Sequence, residues 1–542
     1  MNGLMQQHPL LISSLLIHAE RHHGGQEIVS RRVEGDIHRT TYAALAARSR
    51  RMAKAMAALG VRDSDRVATL AWNGYRHMEL YYAVSGMGAV LHTLNPRLHP
   101  DQVVWIADHA EDLVLCFDLT FLPLVQAVAG RLKTVKHFVL MADRSHMPAE
   151  AKIPGLLCYE DLIDAHDDVY TWPELDENHA SSLCYTSGTT GNPKGVLYSH
   201  RSTVLHAFGA ALPDALNCSS RDVILPVVPM FHVNAWSLPY VGCMTGAKLV
   251  FPGAGLDGKS LYELFESEKV TCSAGVPTVW QGLLAYVEAN GLKFSTMNRT
   301  VIGGSACPPA MTRAFQDKYG VHVLHAWGMT EMSPLGTVCS FRTKHLALPP
   351  EERLALQAKQ GQAIFGVDMK IVGADGKELP WDGKASGELL VRGPWIVEQY
   401  FKGEGGDPLQ DGWFPTGDVA TIDPDGYMQI TDRAKDVIKS GGEWIGSIDL
   451  ENVAMAHPAV AMAACIAAKH PKWDERPLLV VMKKPGAELT REALLAFFDG
   501  KVAKWWIPDD VVFVDAIPLG ATGKMQKNKL REQFKDHVLP TA

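Results

Sequence analysis

The sequence predicts an α/β protein: a large N-terminal domain of stacked α/β subdomains with a β-rich subdomain, then a small α+β C-terminal domain. Three observations carry this. The chain has 542 residues, and a single core rarely grows past roughly 250–300 residues. From about residue 25 to 330, short apolar runs alternate with amphipathic helical stretches, the pattern of parallel sheets with helices on their faces. Near residue 360 the texture changes to short strands and turns, and after Asp432 to a compact segment of roughly 110 residues, the size of a separate small domain.

Each element has a local reason. Pro9 to Ile17 is apolar but lacks a basic leader and a small-residue cleavage site, and is shorter than the ~20 residues of a membrane span. It reads as the buried face of a first helix. Thr41 to Leu59 follows as a helix: Leu45, Met52, Met56 and Leu59 share a face, Thr41 caps the start and Gly60 ends it. Arg66 to Ala71 reads as strand, Tyr75 to Met87 as helix and Ala89 to Thr93 as strand. Between 361 and 431, Gly373-Ala374-Asp375-Gly376, Trp381-Asp382-Gly383 and Pro424-Asp425-Gly426 are turn signals. No internal repeat or low-complexity stretch interrupts the chain.

Composition narrows the function. Hydrophobic residues make up 47% and charged residues 21%, the balance of an ordinary soluble globular protein. A net charge of −8 argues against a general nucleic-acid or anionic-membrane binder. Nine cysteines are scattered without a CxxC pair, which signals neither a zinc site nor a disulfide framework and fits a reducing cytoplasm.

The chemistry begins after Cys184-Tyr185, where an apolar stretch gives way to Thr186-Ser187-Gly188-Thr189-Thr190-Gly191-Asn192-Pro193-Lys194-Gly195. Small and hydroxyl residues let the backbone turn sharply and present N–H groups to anionic oxygens, and a lysine neutralises them. The spacing is not that of the P-loop, since Lys194 follows a proline rather than a glycine.

This loop resembles that of the acyl-adenylate-forming superfamily of acyl-CoA synthetases, peptide-synthetase adenylation domains and luciferases. Further motifs follow in that family's order over nearly the whole chain. His232-Val233-Asn234-Ala235-Trp236 resembles the acyl-site motif. Gly303-Gly304-Ser305-Ala306 and Ala326-Trp327-Gly328-Met329-Thr330-Glu331 resemble the adenine and magnesium motifs. Thr416-Gly417-Asp418 resembles the ribose motif, Asp432 to Val437 the interdomain hinge, and Gly520 to Lys524 the catalytic-lysine motif. The stretch from Ser440 to Ile445 is similar to that of bacterial medium- and long-chain fatty acyl-CoA synthetases, a group that includes 3-methylthiopropionate-CoA ligases.

The resemblance implies ATP, Mg2+ and coenzyme A as partners in a two-step reaction. Residues 1–431 would form the AMP-binding domain, 432–437 the hinge and 438–542 a mobile lid. Ser187, Gly188, Thr189, Thr190 and Lys194 would hold phosphate, and Thr186 and Glu331 magnesium. Gly304, Ser305, Ala306, Ala326, Trp327, Gly328 and Thr330 would surround adenine, with the Trp327 face against the base. Asp418 would accept from the ribose hydroxyls, with Arg433, Lys435 and Lys439 as further nucleotide contacts. Lys524 would bridge the carboxylate and the α-phosphate, with His232 and Glu331 as the other catalytic residues, although composition alone makes Lys524 one more surface lysine beside Lys527 and Lys529. His232, Trp236 and Met329 would line the acyl pocket with Val228 and Met230, Trp236 acting as an aromatic gate. Gly441, Gly442 and Trp444 would enter the site for thioester formation.

The expected activity is ligation of a medium-chain fatty acid to CoA, with 3-methylthiopropionate and long-chain acids as alternatives. A homodimer is expected, with no nucleic acid and no membrane insertion. Loading of a carrier protein, a luciferase-type oxygenation and non-catalytic nucleotide binding are the competing classes.

Overall fold

The computed structural model describes residues 1, 3–186, 193–433, 435–440, 443–520 and 524–542. The first helix, Ile12–His23, buries Ile12, Leu15, Leu16 and Ala19, as its apolar run predicts. The second, Tyr42–Ala58, buries Leu45, Met52 and Met56. Its start is capped by Thr41, whose hydroxyl accepts the Ala44 N–H at 3.3 Å, and Gly60 just beyond its end takes φ +90°, a left-handed value that costs glycine nothing.

Two large sheets follow from the alternation. One has seven strands in the order Leu157–Cys158, His137–Leu140, Asp112–Phe117, Arg66–Leu70, Val90–Thr93, Ala180–Tyr185 and Gly195–Ser199. All neighbours are parallel except the last pair, which forms a hairpin around the glycine-rich loop. The other has nine strands; its six central ones, from His322–Gly328 to Glu27–Arg31, are parallel and its margins antiparallel. One face of each large sheet, with the helices packed on it, shares a common core, and the opposite faces carry clusters of their own.

The turn-rich segment forms a four-stranded antiparallel sheet of Asp368–Val372, Ser386–Arg392, Phe414–Ile422 and Met428–Arg433. Its turns carry Gly376, Gly383 and Gly426 at φ +75°, +73° and +82°, where a side chain is disfavoured. Beyond it, a five-stranded sheet is built around the long pair Val460–His470 and Asp474–Lys483. Two hydrophobic clusters hold this last part together, and both draw only on residues from Ile438 onward. All nine cysteines are free and buried. Among the described residues, no helix is long and apolar enough to cross a membrane.

This topology places a site before any side chain is considered. Thr186 follows the strand ending at Tyr185, Val227 the one ending at Pro226, Val276 the one ending at Gly275, and Gly303 the one ending at Ile302. These are carboxyl ends of strands in parallel sheets, where open α/β folds bind ligands.

Candidate functional site

The glycine-rich loop is closed at its base. Thr186 N–H donates to the Lys194 carbonyl at 2.9 Å, and Lys194 N–H donates to Thr186 Oγ1 at 3.0 Å. The hairpin register Tyr185↔Gly195 continues this pairing, so both ends of the loop are fixed. The Lys194 ammonium lies 4.6 Å from the Tyr400 ring centroid, a cation–π position.

Tyr400 also reaches the next functional group. Its hydroxyl donates to Glu331 Oε1 at 2.9 Å. Glu331 is buried, with burial pushing its carboxyl above the usual range against the opposing pull of Tyr400, Lys524 and Arg433. The strand that presents it ends at Gly328, where a Cβ would collide with the Pro334 carbonyl; glycine is needed there for that close approach.

Asp418 sits on the β-rich sheet and is 4% exposed. Trp327 Nε1–H donates to its Oδ2 at 2.9 Å, and Arg433 Nε lies 3.3 Å from its Oδ1. Trp327 was expected to offer its face to a base. The structure adds a different duty, as donor to the carboxylate, while part of the ring packs over Gly336.

His232 and Trp236 flank an unusual turn. Val233, Asn234, Ala235, Trp236 and Ser237 all have positive φ, between +46° and +62°. The turn brings the Trp236 ring over Gly303, where a Cβ would come within 3.1 Å of the ring. Burial, and then the Lys524 charge, pull the His232 imidazole down to about 4, so it is neutral near pH 7.

Lys524 comes from the C-terminal part, where its carbonyl accepts from Gly520 N–H at 2.6 Å. Burial and the Arg433 charge pull its ammonium down to about 8, against Asp418 and Glu331. These residues converge on two adjoining cavities. One, of about 570 Å³, is lined by Thr186, Lys194, Glu331, Arg433 and Lys524 together with Val228, Trp236, Leu256, Val279, Met329 and Thr330. The other, of about 1030 Å³, is lined by Ser305, Ala306, Asp418 and Lys435 and, from the C-terminal part, Asn452, Met462 and Lys484. His232, Gly304, Ala326, Trp327, Gly328, Arg433 and Lys524 line both.

Several expected residues lie elsewhere. Met230 lines neither cavity; it is fully buried, its N–H donating to Asn73 Oδ1 and its carbonyl accepting from Tyr81. The Asn73 and Tyr81 side chains thus hold its backbone in the core. Lys439 is exposed, pairs with Trp444 across a short hairpin and lines neither cavity. Ser187, Gly188, Thr189, Thr190, Gly441, Gly442 and the Trp444 side chain lie outside the described residues. Lys527 is no surface lysine: its side chain is 10% exposed and paired with Glu451 Oε1 at 2.7 Å.

Sequence reading missed Tyr400 and Arg97. Tyr400 lies in a stretch without a motif, and only the fold brings it to Glu331. Arg97 lines both cavities and stacks over Trp72 and Phe231 at 5.8 and 5.6 Å. An arginine just after Asn95-Pro96 at a strand end was the available signal.

Comparison with known proteins gives the chain's family. Residues 17–401 match the AMP-binding enzyme family and residues 449–524 the AMP-binding enzyme C-terminal domain. The chain is 57% identical to the 3-methylmercaptopropionyl-CoA ligase of Ruegeria lacuscaerulensis, over 99% of both chains. It is 54% identical to the medium-chain-fatty-acid–CoA ligase of Ectopseudomonas oleovorans, over 99% of this chain and 98% of that one. Its fold matches the crystal structure of the anthranilate CoA ligase AuaEII in complex with anthranoyl-AMP, with a TM-score of 0.86 at 23% identity, covering 98% of this chain and 99% of that one.

Proposed function

We infer the residue roles and the substrate from one premise: this chain belongs to the AMP-binding enzyme family. It is an acyl-CoA synthetase. A carboxylate attacks the α-phosphate of ATP and expels pyrophosphate, and the CoA thiol then takes the acyl group and expels AMP.

The acid is a fatty acid of medium chain length. The observation that carries this reading is the lining of the smaller cavity. Its charges are those the reaction needs at phosphate and carboxylate, chiefly Lys194, Glu331, Arg433 and Lys524. What is left for the tail is mostly apolar, with Val228, Trp236, Leu256, Val279 and Met329, as an alkyl chain requires. A second reading has its own support: the Trp236 ring over Gly303 shortens the apolar space, and the 57% identical relative is named for 3-methylmercaptopropionate. A panel of acids from propionate through palmitate, with 3-methylthiopropionate, separates them. Maximal kcat/KM near octanoate supports the first reading, and a maximum at 3-methylthiopropionate replaces it with the second.

The roles follow from charge. Two anions must meet, so positive charge has to be concentrated and positioned. Lys524 bridges the carboxylate and the α-phosphate. Lys194 and the loop from Thr186 hold the departing pyrophosphate end. Asp418, already oriented by Trp327 and Arg433, keeps spare lone pairs for ribose hydroxyls. Thr186 and Glu331 offer oxygen donors only, which suits a hard cation such as magnesium; bound with ATP, it neutralises phosphate charge. Trp236 closes the acyl pocket and keeps water from the adenylate.

Residues 1–431 are the AMP-binding domain, 432–437 a hinge and 438–542 a lid, a division supported by the self-contained clusters after Ile438. The enzyme works in the cytoplasm, as its buried free thiols suit. It is a homodimer, for which exposed Phe208 on the helix His200–Ala211 and Leu212 just beyond its end offer apolar surface; light scattering tests this.

A further inference from the structure

His206 lies where three parts of the site meet. It stands on the helix His200–Ala211, which directly follows the strand Gly195–Ser199 and hence Lys194. Its side chain is fully buried and lines neither cavity. Its Nε2 lies 2.9 Å from the backbone N–H of Leu335. An amide only donates, so Nε2 accepts and the ring proton belongs to Nδ1. Nδ1–H then donates to Ser237 Oγ at 2.7 Å. Burial pulls this imidazole down to about 3, so the neutral tautomer persists. Trp395 holds Leu335 from the other side, its indole N–H donating to the Leu335 carbonyl at 3.1 Å.

The two partners belong to two different segments that border the site. Leu335 opens the strand just beyond Glu331. Ser237 closes the left-handed turn that carries Trp236. Each non-glycine residue in that region costs about 1–2 kcal/mol, so five in succession persist only where the surroundings impose them. Beyond the backbone bond from Ala235 N–H to Pro229 O, two side chains do so: Asn234, whose Nδ2–H donates to Ser182 Oγ at 3.0 Å, and Ser237 through His206.

Resting on the reading of Trp236 as the gate of the acyl pocket, we propose that His206 is a positioning residue that ties the Trp236 turn to the Glu331–Leu335 segment, so that the acid wall and the nucleotide wall of the site shift together. It touches no substrate atom. Its effect is a coupling: nucleotide on the Glu331 side changes the affinity for acid on the Trp236 side, and the reverse holds equally.

The test compares acid affinity with and without a non-hydrolysable ATP analogue, by calorimetry, in the full-length protein. Ser237→Ala removes the acceptor of His206 Nδ1. Ser237→Gly removes it too but relieves the positive-φ strain, so it folds wherever the alanine variant does not. The wild-type ratio of acid affinities is expected to differ from one by about fivefold or more, the low end of measured couplings. Both variants are expected to bring it close to one. His206→Asn keeps a donor toward Ser237 but leaves Leu335 N–H unpaired, and loses the coupling as well. A wild-type ratio retained in Ser237→Gly overturns the proposal, because a merely structural role would survive the relief of strain. Absence of acid-dependent AMP release by the wild-type protein is a different failure, since it removes the acyl-CoA synthetase reading itself.

Discussion

The indole N–H of Trp327 donates to the carboxylate of Asp418 at 2.9 Å, across 91 residues of sequence and between two different sheets. Both groups are buried, and the second oxygen of Asp418 lies 3.3 Å from Arg433 Nε. The carboxylate is therefore held in orientation for its proposed ribose contact. Trp327→Phe keeps the apolar ring and deletes the donor. Leaving a buried acceptor short of a partner costs about 1–3 kcal/mol. The KM for ATP is expected to rise by about five- to hundredfold, with the KM for acid changed less; steady-state kinetics with each substrate varied checks this.

Lys524 gives a pH signature. Its folded-state value of about 8 lies below the ordinary lysine value, so its charge is lost as pH rises through about 8. Adenylate formation needs the ammonium, and kcat/KM reports the groups of the free enzyme. The pyrophosphate-exchange kcat/KM is expected to fall above about pH 8. In Lys524→Arg the guanidinium stays charged, and this descending limb is expected to disappear even though the rate is lower. His232, at about 4, adds no limb near neutrality.

Tyr400 couples Lys194 to Glu331. Tyr400→Phe keeps the ring under the Lys194 ammonium and removes the hydroxyl that orients Glu331. The Mg2+ concentration for half-maximal activity is expected to rise about fivefold, as the loss of roughly 1 kcal/mol implies. Tyr400→Ala also removes the cation–π contact and is expected to raise the KM for ATP further. A magnesium titration of both variants measures the two effects separately.

Lys527 and Glu451 form a buried pair, 10% and 9% exposed, at 2.7 Å. Removing one member leaves the other charge uncompensated, at about 3–5 kcal/mol. Lys527→Ala is expected to lower the stability of the C-terminal part by that order, read as an earlier transition in urea. An unchanged transition would mean that water compensates Glu451.

The sequence carried the local signals well. Thr41 caps its helix, the three turn glycines sit at positive φ, and the motif residues Thr186, Glu331, Asp418, Arg433 and Lys524 line the two adjoining cavities. What it did not carry is long-range. The turn from Val233 to Ser237 contains no glycine, and nothing local distinguishes it from an ordinary bend; its conformation is imposed by Asn234, His206 and the backbone around Pro229. Met230 was expected at the pocket with Val228, Trp236 and Met329, yet Asn73 and Tyr81 hold its backbone in the core. Lys527 looked like a surface lysine because its partner, Glu451, is 76 residues away. Tyr400 and His206 matter through partners that only tertiary structure supplies.

The most direct test of the account separates the two half-reactions in Lys524→Ala. Acid-dependent pyrophosphate exchange into ATP measures adenylate formation; acyl-CoA formed from supplied acyl-AMP and CoA measures the second step. The account expects exchange to fall by at least about a thousandfold, the scale of losing one charge-stabilising donor from an active site, while thioester formation stays within a few-fold of wild type. Equal loss of both steps would contradict it, because Lys524 would then serve the fold or both states rather than the meeting of carboxylate and α-phosphate.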